Sequence, residues 1–128
     1  SGLTMGAYIV SKEKRRANFT LIATGSEVSL AIDAQTKLLE EGIDVRVVSM
    51  PCWEYFEETS EEYKEKVFGV SYKNRISLEM LSTFGWSKYA KHNIGIDVFG
   101  ASAPAKEVLK KYHFTVDDVV RFVKELKD

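Results

Sequence analysis

Cysteine is nearly missing from this chain. Cys52 stands alone, so no disulfide can close within it and no four-cysteine zinc site can be assembled. An excess of either charge is missing too. The 18 Lys and Arg residues are offset by 19 Asp and Glu, for a formal net charge of -1. That removes the basic surplus by which a protein holds a nucleic-acid backbone. No uninterrupted apolar run approaches the roughly 18 residues of a membrane span. The chain does not open on the basic, apolar and small-residue succession of a secretory signal. The expected location is therefore the cytoplasm, with neither membrane nor nucleic acid as partner. Only two prolines, Pro51 and Pro104, punctuate the sequence, and it holds no internal repeat or low-complexity tract.

What is present has the proportions of one globular domain. The 128 residues are 45% apolar and 29% charged, enough to bury a core without staples and too apolar for disorder. Residues 1–5 are set aside as linker or cloning remnant, and the domain is read over 6–128.

Short apolar runs alternate with helical patterns, the signature of βα units and a mainly parallel sheet. Ala7, Tyr8, Ile9 and Val10 make the first strand candidate, broken by the polar run from Ser11 to Asn18. Residues 19–23 are nearly all apolar or β-branched, as a strand covered on both faces should be. Thr24 stands three before Glu27, the spacing of a capping box, with Ser26 a rival cap. From there Val28, Ile32, Gln35 and Leu39 run down one side of a helix, with Ala31, Ala34 and Leu38 beside them. Gly42 ends it. Residues 45–50 form a third strand, stopped by Pro51. Thr59 and Glu62 repeat the capping spacing before a short helix over 60–67. A fourth strand over 75–79, a helix over 85–91 and a fifth strand over 94–98 follow. Pro104 suits the first turn of a helix running to Tyr112. Thr115, three before Asp118, caps a last helix whose Val116, Val119, Val120, Val123 and Leu126 face inward. The expected class is α/β, five strands and five helices in a three-layer α/β/α sandwich.

In such folds ligands gather outside the carboxyl ends of the strands. Two loops there invite attention. Thr24, Gly25 and Ser26 form a strand-to-helix turn whose amides suit an anion, and Gly100 with Ser102 forms another. Neither has the spacing of a dinucleotide or Walker loop, and Glu27 opposes an anion at the first. The plainer reading of both is a capped helix start. Ser102 has no histidine placed to act as its base. His92 and His113 are expected at helix ends, where the dipole favours them. Cys52 has no nearby cation to activate its thiol. No catalytic residue, cofactor ligand or metal ligand is assigned. Glu79, ending an apolar strand, needs a partner if buried: Arg75 or a backbone amide on the structural reading, a neighbouring domain or subunit on the functional one. Trp53, Tyr55 and Phe56 follow the third strand, and Phe84 and Trp86 follow the fourth. Part of that set belongs to a core. The remainder suggests an association surface, where aromatics are enriched.

Four segments, in order, resemble the C-terminal domain of transketolase. They are Leu21-Ile22-Ala23-Thr24-Gly25-Ser26-Glu27-Val28 and Val45-Arg46-Val47-Val48-Ser49-Met50-Pro51, then Arg75-Ile76-Ser77-Leu78-Glu79 with Gly85-Trp86-Ser87-Lys88-Tyr89. The fourth is Phe99-Gly100-Ala101-Ser102-Ala103-Pro104-Ala105, continuing to Phe114-Thr115-Val116-Asp117. The resemblance runs from about residue 6 to the last helix. It departs at Met80-Leu81, where the family usually has small residues, and at His113, where it usually has glycine.

The resemblance implies a five-stranded mixed sheet whose first strand is antiparallel to the rest. It implies a parent enzyme that moves two-carbon ketol groups between sugar phosphates in the pentose phosphate pathway, using thiamine diphosphate and Mg2+. Two preceding α/β domains would hold that cofactor. This domain would bind none of it, would be inactive alone, and would support the dimer and the packing of the other domains, joined in one chain or supplied as another. The Gly-Asp-Gly triplet of the family's cofactor site does not occur in the sequence. Two alternatives stand beside this reading: a free-standing regulatory module for an anion or nucleotide, and a protein-docking domain like that of 2-oxo acid dehydrogenase beta subunits.

Overall fold

The computed structural model describes residues 6–25, 27–50, 56–79, 89–95 and 115–127. Its elements run β1 (Tyr8–Ser11), β2 (Phe19–Ala23), α1 (Glu27–Glu40), β3 (Val45–Ser49), α2 (Glu61–Phe68), β4 (Arg75–Glu79), β5 (His92–Gly95) and α3 (Val116–Lys127). A 3₁₀ turn over Tyr72–Asn74 leads into β4. The strands pair in the order β1-β3-β2-β4-β5. β3, β2, β4 and β5 are parallel, and β1 lies antiparallel on β3. This is the mixed α/β sheet, antiparallel first strand included, that the resemblance implies. Among the described residues no helix is long and apolar enough to cross a membrane.

Alternation along the strands divides the core in two. Phe19, Leu21, Ala23, Val45, Val47, Ile76, Leu78 and Ile94 pack with α1 and α3 in one cluster. Ile22 and Val48 pack with Phe56, Val67 and Phe68 in the other, the α2 side. On α1 the buried positions are Glu27, Ala31, Ala34 and Leu38. Of the expected stripe, Ala31, Ala34 and Leu38 form the buried centre, Val28 and Ile32 pack along its flank, and Leu39 is 41% exposed. The two alanines let the helix lie close on the sheet, and that contact sets its rotation. Helix α3 begins with the capping box read from the sequence: Asp118 N–H donates to Thr115 Oγ1 at 3.2 Å, and Thr115 N–H donates to Asp118 Oδ2 at 2.9 Å. At α2 the cap is Ser60, which accepts from Tyr63 N–H at 3.1 Å, and the Thr59 hydroxyl instead donates to Phe56 O at 2.7 Å. Residues 89–91, expected to close a helix, are non-helical and lead into β5. The rest of that helix, and the one expected over 104–112, lie outside the described residues.

The last turn of α2 shows how the second face is held. A helix leaves its final carbonyls without partners, and here each finds one. Gly69, at φ 70°, turns its N–H back to Glu65 O at 2.9 Å. Arg46 donates from Nη1 to Lys66 O at 2.8 Å and to Val67 O at 3.0 Å. The Thr20 hydroxyl donates to Phe68 O. Arg46 is only 7% exposed, and its charge is met by Glu13, with Nε to Oε1 at 2.8 Å and Nη2 to Oε2 at 3.1 Å. Gly69 is needed twice over. Its φ is positive, and a Cβ there would lie 2.4 Å from Arg46 Nη1.

The β1–β2 connection, expected to be a solvated turn, is tied down by Asp44. Its carboxylate accepts from the amides of Lys14 at 2.9 Å, Arg15 at 2.7 Å and Arg16 at 3.2 Å. Asp44 N–H donates in turn to Asn18 Oδ1 at 2.9 Å. Burial pushes the Asp44 carboxyl upward, but the three amides outweigh it and the net shift is downward. Gln35 fixes the start of the connection, donating to Val45 O at 2.9 Å and Ser11 O at 3.2 Å and accepting from the Ser11 hydroxyl at 2.7 Å. A register shift between Ile9 and Ser11 distorts β1, which blunts an edge strand against further pairing.

Replacing Glu13 by Gln tests the ion pair. The Arg46 hydrogen bonds, above all, hold the Glu13 carboxyl below its usual range. Its stabilisation is thus present at neutral pH and lost as pH falls through that lowered value. Urea melts of the parent and Glu13→Gln should differ by about 2 kcal/mol at pH 7 and converge in acid. A difference unchanged with pH would remove the charge from the account.

Candidate functional site

Strand β2 leads through α1 to β3 on one side, and β4 leads to β5 on the other. The order reverses between β2 and β4, the place where an open parallel sheet opens a crevice at its carboxyl edge. Ala23 pairs with Leu78, so Thr24 and Glu79 stand side by side in register at the mouth of that crevice. Two features picked out separately in the sequence are thereby brought to one point.

The turn itself is partly closed. Gly25 takes a φ of 54°, and the first amides of α1 are engaged within the turn. Glu27 N–H donates to Thr24 O at 3.1 Å and Val28 N–H to Gly25 O at 3.2 Å. Glu27 is 7% exposed, with its Oε2 4.0 Å from where a Cβ on Gly25 would sit. A carboxylate therefore stands over the loop proposed for an anion. Ser26, Gly100 and Ser102 lie outside the described residues, as do Trp53, Tyr55, Phe84, Trp86, His113 and the side chain of Glu79.

Of the aromatic set, Phe56 is described, and it is fully buried. Its ring meets Phe68 at 5.3 Å and Tyr89 at 5.7 Å, both edge to face. Here the core half of the sequence reading applies. Arg75 stands at the opposite end of β4 from Glu79. Its guanidinium lies 4.2 Å over the Phe68 ring and donates to Val70 O at 3.1 Å and Tyr89 O at 3.4 Å. A cavity of about 220 Å³ opens beside it, lined by Phe68, Arg75, Tyr89, Lys64 and the three glutamates Glu57, Glu61 and Glu65. The Tyr89 hydroxyl donates to Glu57 there. Sequence reasoning missed this pair, since nothing marks residues 32 apart as neighbours. Its acidic wall and tethered arginine make the cavity a poor receptor for an anion.

His92 opens β5 instead of ending a helix, with its ring 6.3 Å from Phe122. Burial, then the Lys91 charge, lower its pKa, opposed by a hydrogen bond at the Lys73 backbone. The ring is therefore neutral at physiological pH. Among the described residues no group of three or more His, Cys, Asp or Glu side chains is placed to hold a metal ion.

Burial, then the hydrogen bond and charge of Glu57, push the Tyr89 hydroxyl well above the usual tyrosine range. In an ultraviolet alkaline titration, the difference between the parent and Tyr89→Phe should appear only after the exposed tyrosines have ionised. The variant should lose about 1 kcal/mol of stability. A difference developing within the ordinary tyrosine range would show that Glu57 does not accept from Tyr89.

Comparison with known proteins bears on what the fold serves. Residues 6–115 match the family model of the transketolase-like C-terminal domain. A transketolase of Bacillus subtilis (strain 168) is 49% identical over 130 residues, covering 98% of this chain and 20% of that protein. A mutant transketolase from Pichia stipitis superposes with a TM-score of 0.81 at 39% identity, covering 98% of this chain and 18% of that one. The transketolase of Leishmania mexicana gives 0.79 at 42% identity, with coverage of 98% and 18%. The chain spans about a fifth of the length of these relatives. Sequence match, segment order and the sheet with its antiparallel edge strand agree along the same residues, and the chain belongs to the transketolase-like C-terminal domain family.

Proposed function

We propose that this chain is the third domain of a cytoplasmic transketolase, and that it serves the enzyme as a scaffold without being catalytic alone. The parent would transfer two-carbon ketol units between sugar phosphates in the pentose phosphate pathway, with thiamine diphosphate and Mg2+ held by the preceding domains. The observation that carries this reading is one of proportion. Nearly all of this chain matches about a fifth of full-length transketolases, and four-fifths of the enzyme is left for the cofactor and the substrate.

The chemistry of the chain points the same way. The sequence has no Gly-Asp-Gly, and the described donors do not converge on a metal. Both observations support leaving the diphosphate and its ion to the preceding domains. At the crevice between β2 and β4 the loop amides are engaged and Glu27 stands over them, so the turn supports the helix start in preference to an anion. The partners of the domain would be the other transketolase domains and a second subunit. Trp53, Tyr55, Phe84 and Trp86, which follow β3 and β4 in the sequence, are the residues proposed to meet them, together with Glu79, which ends β4.

A ketol-transfer assay on this chain alone, supplied with thiamine diphosphate, Mg2+ and sugar phosphates, should give no turnover. Measurable turnover would overturn the scaffold reading. In the full-length parent, Trp53→Ser and Trp86→Ser should each weaken the dimer at least roughly tenfold, the effect of losing one interface anchor. Sedimentation velocity reads this directly, and a dimer indifferent to both changes would remove the aromatic interface.

A further inference from the structure

The amino edge of the sheet carries a feature that the scaffold role does not use. Lys14, Arg15 and Arg16 follow one another in the β1–β2 connection and are all exposed. Among the described residues none of the three takes part in an ion pair, whereas nearby Glu13 and Glu41 are engaged by Arg46 at 2.8 Å and Lys124 at 2.9 Å. A chain of net charge -1 thus concentrates three exposed cations on one turn, of which Lys14 also lies close enough to Asp44 for its charge to lower that carboxyl. Asp44 is the acidic group at that place, and its carboxylate is taken up by the turn's own amides. Both of its oxygens accept backbone amides from the same three residues, which fixes the turn and leaves the cationic side chains to fan outward.

These residues border a cavity of about 520 Å³, together with Leu39, Gly42 and Asp44. That volume lies within the range of small-molecule sites. Gly42 leaves room on one side, with nothing within 4 Å of where a Cβ would stand, and the partly exposed Leu39 gives an apolar wall. A macromolecular polyanion suits the place poorly, because it needs a basic stripe many residues long and this patch is a single turn. Clustered phosphate oxygens suit it well, since Arg forks and a Lys point charge are the side chains that bind them.

From this geometry we infer that the turn of residues 14–16, with Leu39 and Gly42, is a binding site for a small polyphosphorylated molecule, at the opposite sheet edge from the crevice between β2 and β4. Inorganic tripolyphosphate is a suitable probe. Titrated into the ¹⁵N-labelled chain at low salt, it should move the amide signals of residues 14–16 and 42–44 saturably. Affinity should fall as salt is raised. The double change Arg15→Ser with Arg16→Ser leaves the Asp44 bonds in place, because those use backbone amides, and should weaken binding by roughly tenfold or more. Removing the same charge elsewhere, with Lys66→Ser and Lys73→Ser, should leave binding unaltered. The site is refuted if shifts do not saturate, if sulfate at matched ionic strength reproduces them, or if both double variants lose affinity equally.

Discussion

A cation buried in the middle of an apolar strand constrains most of what surrounds it. Arg46 sits between Val45 and Val47 on β3, paired with Thr20 of β2. Water cannot reach it freely, so its donors must be satisfied by protein. The solution joins three parts of the chain that are remote in sequence. Glu13 supplies the counter-charge from the β1–β2 connection, the end of α2 supplies two carbonyls, and Gly69 supplies the space. A positive charge at a helix carboxyl terminus is also favourable for the helix dipole. Loss of any one partner strands the others, because an unpaired buried charge costs more than the pair contributes.

From that anchor the rest of the architecture can be traced. With the end of α2 fixed, the chain enters β4 through the turn at Tyr72–Asn74 and lands on the far side of β2 from β3. The central strand is thus enclosed on both sides, and all five of its residues are buried. The same landing sets Thr24 beside Glu79. The crevice at the carboxyl edge is a product of strand order, and strand order is a product of where α2 comes to rest.

Much of this could be read from the residues. The buried strands declared themselves by β-branched runs, the last helix by Thr115 and Asp118, and the end of the first helix by Gly42, each a signal contained within a few positions. What could not be read depends on distance. Asp44 accepts amides about thirty residues away, and Tyr89 reaches Glu57 across thirty-two. How far the stripe of α1 is buried is also a matter of packing: Ala34 lies fully against the sheet while the larger Leu39 is left exposed, because close packing on a sheet favours the smaller side chain. His92 is expected at a helix end because the residues before it read as helical, yet 89–91 turn and bend into β5. Arg46 carries a local signal of its own, since an arginine among valines is a request for partners. The adjacency of Thr24 and Glu79 needed the order of strands, which no local pattern supplies.

The two faces of the sheet are secured by different means. Under α1 and α3 the contacts are aliphatic and non-directional, so side chains of similar volume can be exchanged there at modest cost. Under α2 the seat is keyed: Thr20, Arg46 and Gly69 each address a particular atom. As such a sequence drifts over generations, the first face can wander residue by residue. The second can move only by coordinated exchange, which makes α2 the helix whose placement outlasts the identity of the side chains around it.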